Sequence, residues 1–164
     1  MKIRSLVPLV ALLVVTSPLF AGPPWLAIEL PPNPFDRASR GAFLLVHAFH
    51  HAGDAHDPLS GRAIGVVGGQ RRNVTLNFER TSRPGVYALK NQWGDQGEWT
   101  LVITNRQADH GEGNTADVMV RVSGAKVIGV EAATGKSTHA ELPLVPRRFT
   151  DAEVEASLRG RAAN

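Results

Sequence analysis

Residues 84–104 read PGVYALKNQWGDQGEWTLVIT, and this stretch decides the fold class. Large apolar side chains recur at every second position on both sides of a Gly-Asp-Gln-Gly turn: Tyr87, Leu89, Trp99, Leu101 and Ile103. An alternation with period two is typical of a β-strand that buries one face. Two such runs joined by a loop containing Gly and Asp predict a β-hairpin.

Six more stretches have the length and character of strands: Trp25–Leu30, Ala42–Phe49, Gly61–Val67, Arg72–Glu79, Thr115–Ser123 and Lys126–Glu131. Arg72–Glu79 alternates most cleanly, which predicts a half-buried strand. No amphipathic helical stretch separates these runs, so a parallel α/β sheet is not expected. We therefore predict an all-β, immunoglobulin-like antiparallel β-sandwich of about seven or eight strands over residues 22–145.

The N-terminal segment has the order of a secretory signal peptide. Lys2 and Arg4 precede an apolar run from Leu6 to Val15, and Pro18 and the small residue Ala21 follow. The apolar run is shorter than the roughly 20 residues that a membrane-spanning helix needs. We predict a signal peptide over residues 1–21 and an exported protein, periplasmic or extracellular, that meets the membrane only through this leader.

The excess positive charge of the chain comes from its two ends. Its 164 residues include 18 Lys and Arg against 15 Asp and Glu, and no cysteine. The leader carries two cations, and the tail beyond residue 145 carries four arginines against three acids, so the body is neutral. Nucleic-acid binding requires clustered positive charge, so we expect no nucleic-acid partner. Without cysteine, a disulfide or a thiolate metal site is impossible.

The tail over residues 146–164 contains the only clear helix signal. Thr150 and Glu153 have the spacing of a capping box, in which each side chain satisfies a free backbone N–H of the other residue. Val154 and Leu158 then fall on one face. A helix of this length has marginal stability alone in water. We therefore expect it to pack on the sandwich, to dock on a partner or to fray.

Histidines and aspartates cluster between residues 47 and 57. Imidazole and carboxylate are suitable ligands for copper or zinc. The candidate metal ligands in this segment and in a later polar loop are His47, His50, His56, Asp57 and His110. The alternative interpretation is a polar loop beside one buried core histidine, since His47 lies in a predicted strand. No cofactor is therefore certain, and copper or zinc is the possibility that the residues allow.

The aromatic residues allow a second kind of site. Trp99 and Tyr87 share faces with aliphatic residues, which predicts core positions. Trp25 and Trp93 lie near strand ends, where an exposed indole could stack on a sugar ring. The chain is therefore also a candidate carbohydrate-binding module.

The residues Pro84-Gly85-Val86-Tyr87 and Gly97-Glu98-Trp99-Thr100-Leu101-Val102-Ile103 resemble a known family pattern. They are similar to the P-G-x-Y and G-x-W-x-L-x-V hairpin of YtkA-like and FixH-like exported β-sandwich domains. The resemblance implies an exported immunoglobulin-like fold and a setting close to copper handling or respiratory-oxidase assembly. The chain lacks the methionines common before that hairpin, so the resemblance assigns no binding residue.

The sequence contains no Gly-x-Ser-x-Gly elbow or other catalytic constellation that meets geometric requirements. We predict that the chain is not an enzyme. Its expected function is binding or interaction, with a protein partner in the cell envelope. The sequence predicts neither the ligand nor the oligomeric state. Metal binding or delivery and carbohydrate binding are the alternatives.

Overall fold

The computed structural model describes residues 23–50, 53–54, 59–107, 114–136 and 144–159. The predicted leader, residues 1–21, lies outside this part of the chain. The described residues form twelve strands, one short 3-10 turn at Arg37–Ser39, and one helix. The elements are β1 Trp25–Glu29, β2 Leu44–His50, β3 Gly53–Asp54, β4 Ser60–Val67, β5 Gln70–Thr75, β6 Glu79–Arg80, β7 Val86–Leu89, β8 Glu98–Arg106, β9 Thr115–Ser123, β10 Lys126–Ala132, β11 Thr134–Lys136, β12 Leu144–Pro146 and α1 Asp151–Arg159.

Two antiparallel sheets form the sandwich. Sheet A has the strand order β1-β2-β7-β6, with β3 paired to the end of β2, and sheet B has the order β10-β9-β8-β4-β5. This arrangement matches the two sheets of an immunoglobulin-type sandwich and confirms the predicted fold class. The strand count exceeds the prediction, because β3, β6, β11 and β12 have only two or three residues each and carry no readable alternation.

The core lies between the inner faces of the two sheets. Leu44 and Val46 of sheet A meet Trp99, Leu101 and Val120 of sheet B, and all five are at most 1% exposed. The indole N–H of Trp99 donates to the carbonyl oxygen of Gln96 at 2.8 Å, so this polar group is satisfied inside the core. With no disulfide available, this apolar layer is the main source of stability.

The predicted hairpin at residues 84–104 is wrong. Strand β7 pairs with β2 and β6 in sheet A, whereas β8 pairs with β4 and β9 in sheet B. Residues 90–97 therefore carry the chain from one sheet to the other. Trp93 secures this crossing, because its ring meets Phe43 edge-on at 5.1 Å between centroids and is only 6% exposed.

The predicted strand Arg72–Glu79 is also divided. Strand β5 ends at Thr75 in sheet B, and β6 begins at Glu79 in sheet A. Between them, Leu76 is buried and Phe78 is half-buried, so the alternation continues across a change of sheet. An alternation with period two indicates which side chains are buried. In this segment it does not indicate that the residues form a single strand.

The predicted tail helix is confirmed, and it packs on the sandwich. Thr150 N–H donates to Glu153 Oε2 at 2.8 Å, and Glu153 N–H donates to Thr150 Oγ1 at 3.2 Å, which completes the capping box. Val154 is 2% exposed against the outer face of sheet B, where it contacts an apolar cluster formed by Ile64, Val102 and Met119. The apolar side of the helix and the apolar cluster on the sheet thus shield each other from water.

Candidate functional site

The outer face of sheet A carries an unusual mixture of side chains. The register of β1 on β2 places Trp25 opposite Phe49, Ala27 opposite His47 and Glu29 opposite Leu45. Cross-strand partners share a face, so aromatic, imidazole and carboxylate groups lie side by side there. The inner positions of the same strands are apolar and belong to the core, as the alternation requires.

Glu29 is the centre of a charged cluster on this face. His47 Nε2 lies 2.8 Å from Glu29 Oε2, and Arg83 Nη1 donates to the same oxygen at 3.2 Å. A second carboxylate, Asp36, lies 3.6 Å from Arg83. The hydrogen bond with His47, supported by the charge of Arg83, holds the pKa of Glu29 below its ordinary value. The carboxylate is therefore charged at neutral pH and orients both partners.

Two exposed aromatic residues neighbour members of this cluster along the chain or on the same strand face. Trp25 is 42% exposed, and Phe35, which precedes Asp36, is 92% exposed. The rings of His47 and Phe49 are nearly parallel, with centroids 6.1 Å apart. We name this surface the outer patch and define it by six residues: Trp25, Glu29, Phe35, His47, Phe49 and Arg83.

The sequence analysis identified part of this surface. Trp25 is exposed, as predicted, but the prediction of an exposed Trp93 is wrong, because Trp93 packs on Phe43 inside the molecule. Tyr87 and Trp99 are core residues, as predicted. Glu29 and Arg83 were missed, since their meeting depends on which strands and turns are neighbours.

The structure places only some of the candidate metal ligands. His47 belongs to the outer patch, with Nε2 directed at Glu29, and is half-buried rather than a core residue. His50 ends β2, where its backbone is paired with that of Gly53. His56, Asp57 and His110 lie outside the described residues. Within the described ranges, no group of three or more histidines and carboxylates could hold a metal ion.

The topology nevertheless brings residues that flank two candidate segments to one end of the sandwich. His50 and Leu59 flank one connection, and Gln107 and Asn114 flank the other, with Gln107 N–H donating to Asn114 O at 3.1 Å. In immunoglobulin-type sandwiches, the connections between these pairs of strands lie at the same end. The core here ends in two buried amides, those of Asn105 and Gln107, which have no hydrogen-bond partner within the described chain.

Comparison of the chain with models of known families, with curated proteins and with solved structures gave no match in any of the three. The likeness to YtkA-like and FixH-like domains therefore remains a prediction from the sequence. Within the described part of the chain, no helix is both long enough and apolar enough to span a bilayer.

Proposed function

We propose that the protein is an exported, non-catalytic binding module that contacts a protein partner in the cell envelope through the outer patch. The observation that carries the proposal is the exposure of Trp25 on the outer face of sheet A and of Phe35 next to Asp36, which is an ion-pair partner of Arg83. Tryptophan, phenylalanine and arginine are enriched at the centres of protein interfaces. Sheet B supports the same choice of face, because α1 covers part of its outer side.

The polar residues of the outer patch are held in place before any partner arrives. Glu29 fixes His47 and Arg83 through a single oxygen, and Arg83 is still 40% exposed. A surface that is ordered in the free protein loses less conformational entropy on binding. The outer patch thus combines an exposed apolar contact area with a fixed guanidinium.

The proposal is tested by placing a photo-crosslinking side chain at Ala27, which is exposed between Trp25 and Glu29 on β1. Cross-linking in the native host should give a discrete adduct with one protein. The additional substitution Trp25→Ala should remove that adduct, because it deletes the largest exposed ring of the outer patch.

The matched control carries the same photo-crosslinker at Thr75, an exposed residue at the end of β5 in sheet B. This position should not give the adduct. If both positions give the same products, or if Trp25→Ala changes nothing at position 27, the outer patch is not the contact surface.

Carbohydrate binding is a second candidate, favoured by the exposure of Trp25 on the same sheet face as the polar groups of Glu29 and His47. An indole face stacks on a sugar ring while polar groups bond its hydroxyls. Under this alternative, cello- or chito-oligosaccharides quench the tryptophan emission of the mature protein. The quenching is lost in Trp25→Ala and kept in Trp93→Phe, because Trp93 is buried. Unchanged emission at every sugar concentration removes this candidate.

Metal binding is a third candidate, favoured because residues that flank the two histidine-bearing connections lie at one end of the sandwich. A carboxylate on one ring nitrogen, as Glu29 provides for His47, is the usual support of a histidine ligand. Calorimetric titration with Cu²⁺ and Zn²⁺ tests this candidate. Binding tighter than that of a histidine-containing peptide, weakened by His56→Ala and by His110→Ala, supports it, and binding no tighter than the peptide removes it.

A further inference from the structure

The outer face of sheet B contains a groove beside the N-terminal end of α1. It consists of two adjoining hollows of about 330 and 430 Å³, which share Ser60, Thr104 and Arg148. The strand register explains the lining, because Thr104 lies opposite Ser60 on one side and Asp117 on the other, and Arg106 lies opposite Thr115. Arg148 reaches this groove from the segment between β12 and α1.

Two groups of arginines on this side of the molecule differ in their partners. Three of them bind a carboxylate of α1: Arg62 with Asp151, Arg71 with Glu155 and Arg147 with Glu153. Arg106 and Arg148 have no carboxylate within ion-pair distance in the described ranges, and both line the groove. Because Arg62 and Asp151 neutralise each other, the groove retains two cations against the single carboxylate of Asp117.

Asp117 gives the groove a chemical preference. Its side chain is buried, and its two oxygens accept hydrogen bonds from Thr104 Oγ1 at 2.7 Å and from Phe149 N–H at 3.0 Å. A carboxylate has about four acceptor sites, so two remain after these bonds, and Asp117 lines the larger of the two hollows. An anion that enters next to this carboxylate is favoured if it carries a proton that it can donate.

We propose that this groove binds hydrogen phosphate. Arg106 and Arg148 pair with phosphate oxygens, the hydroxyls of Ser60 and Thr115 donate to them, and the P–OH group donates to Asp117. Sulfate has the same shape but no proton at neutral pH, so it places its charge against the free lone pairs of Asp117. A phosphate monoester loses its last proton near about pH 6 and fits the groove only in its protonated form.

The mature protein is titrated with inorganic phosphate at pH 7 and constant ionic strength, and backbone amide shifts are followed by NMR. Saturable shifts should be confined to the strand ends and the segment that line the groove. Arg106→Gln and Arg148→Gln should each weaken binding by about tenfold or more, since each removes a charge-assisted hydrogen bond. The matched control, Arg40→Gln, removes an exposed arginine outside the groove and should leave the affinity unchanged.

The identity of the anion is tested with sulfate and with glycerol 3-phosphate, because changing Asp117 would also disturb its bonds to Thr104 and Phe149. Sulfate should bind at least about tenfold more weakly than phosphate, and the monoester should bind more tightly at pH 6 than at pH 8. Equal binding of sulfate overturns the role of Asp117. The other outcome is that the shifts are scattered over all exposed arginines and are unchanged in both variants. That result means an adventitious ion only, and it contradicts the proposed phosphate site.

Discussion

One oxygen of Glu29 illustrates how single residues organise this protein. The oxygen accepts hydrogen bonds from His47 and Arg83, which come from different parts of the chain. Because these three side chains are partly exposed, the contacts contribute little to the free energy of unfolding, about 1 kcal/mol or less for each pair. Their effect is on the arrangement of the outer patch.

Gly65 is a residue whose effect on stability can be measured directly. It lies in β4 opposite Trp99, and an added Cβ would press into the Trp99 ring and the carbonyl oxygen of Glu98. We expect Gly65→Ala to lower the free energy of unfolding by about 1–3 kcal/mol in urea denaturation. Gly135→Ala is the control, because a Cβ there makes only ordinary contact with Arg147. Equal effects of the two substitutions would contradict the close approach at Gly65.

For single residues, the sequence predicted which side chains are buried better than it predicted which side chains contact each other. The alternation correctly placed Trp99 in the core, whereas position near a strand end, which suggested exposure for both Trp25 and Trp93, was right only for Trp25. The cluster around Glu29 was not predictable, because a period of two gives the face of a side chain but not the neighbouring strand. Arg83 precedes a Pro-Gly turn, and no pattern in one sequence links that turn to β1.

At the scale of elements, α1 closes an apolar surface that the sandwich would otherwise expose. Val154, with Phe149 and Leu158 beside it, covers the cluster of Ile64, Val102 and Met119. Bidentate ion pairs of Arg71 with Glu155 and of Arg147 with Glu153 hold the helix at two further points.

We expect Val154→Asp to detach α1 while the sandwich remains folded. A buried carboxylate against an apolar cluster is strongly unfavourable, and leaving the sheet restores its hydration. Amide exchange over residues 151–159 should accelerate, and a hydrophobic dye should bind the uncovered sheet. Ala156→Asp adds the same charge on the exposed side of the helix and should change neither readout. Protected amides in Val154→Asp would show that packing is not what holds α1.

The docking of α1 should also depend on pH. The hydrogen bonds from Arg147, and then those from Thr150, lower the pKa of Glu153 to about 2 from an ordinary 4.5. A lowered pKa in the folded state means that the stabilisation is complete above about pH 4.5 and is lost as the pH falls toward 2. The protection of the helix amides, corrected for the intrinsic pH dependence of amide exchange, should therefore fall in that window when it is measured from pH 6 to 2.

The control for the pH experiment is Glu153→Gln, which cannot titrate. Its helix should exchange faster than that of the wild type at pH 6 and should show a weaker dependence on acid. Glu155, whose pKa is lowered by its bond to Arg71, accounts for the dependence that remains. An identical pH profile in both proteins would assign the acid effect to other carboxylates.

Elements were predicted more reliably than their assembly. The capping box located the start of α1 because its two hydrogen bonds are local. The prediction of a hairpin at residues 84–104 was wrong, although β7 and β8 both bury one face. Two strands that pair with each other and two strands in opposite sheets can both bury one face, so the alternation does not distinguish them. Which sheet receives a strand depends on the whole core.

At the scale of the whole molecule, the predicted leader makes export a testable property. We expect the exported protein to begin at Gly22, which N-terminal sequencing of the extracytoplasmic fraction would show. Leu12→Arg places a charge in the apolar run and should keep the full-length chain inside the cell. An exported chain that retains residues 1–21 would contradict a cleaved leader.

The cover that α1 gives to sheet B has a consequence for assembly. The protein covers part of the outer side of sheet B with its own tail, whereas the outer patch on sheet A stays exposed at Trp25 and Arg83. Under the proposed function, the outer patch is then the one broad face that binds a protein partner, which gives the domain a valence of one. A monovalent domain ends a chain of contacts instead of extending it, so the copy number of this protein would limit how many complexes are completed.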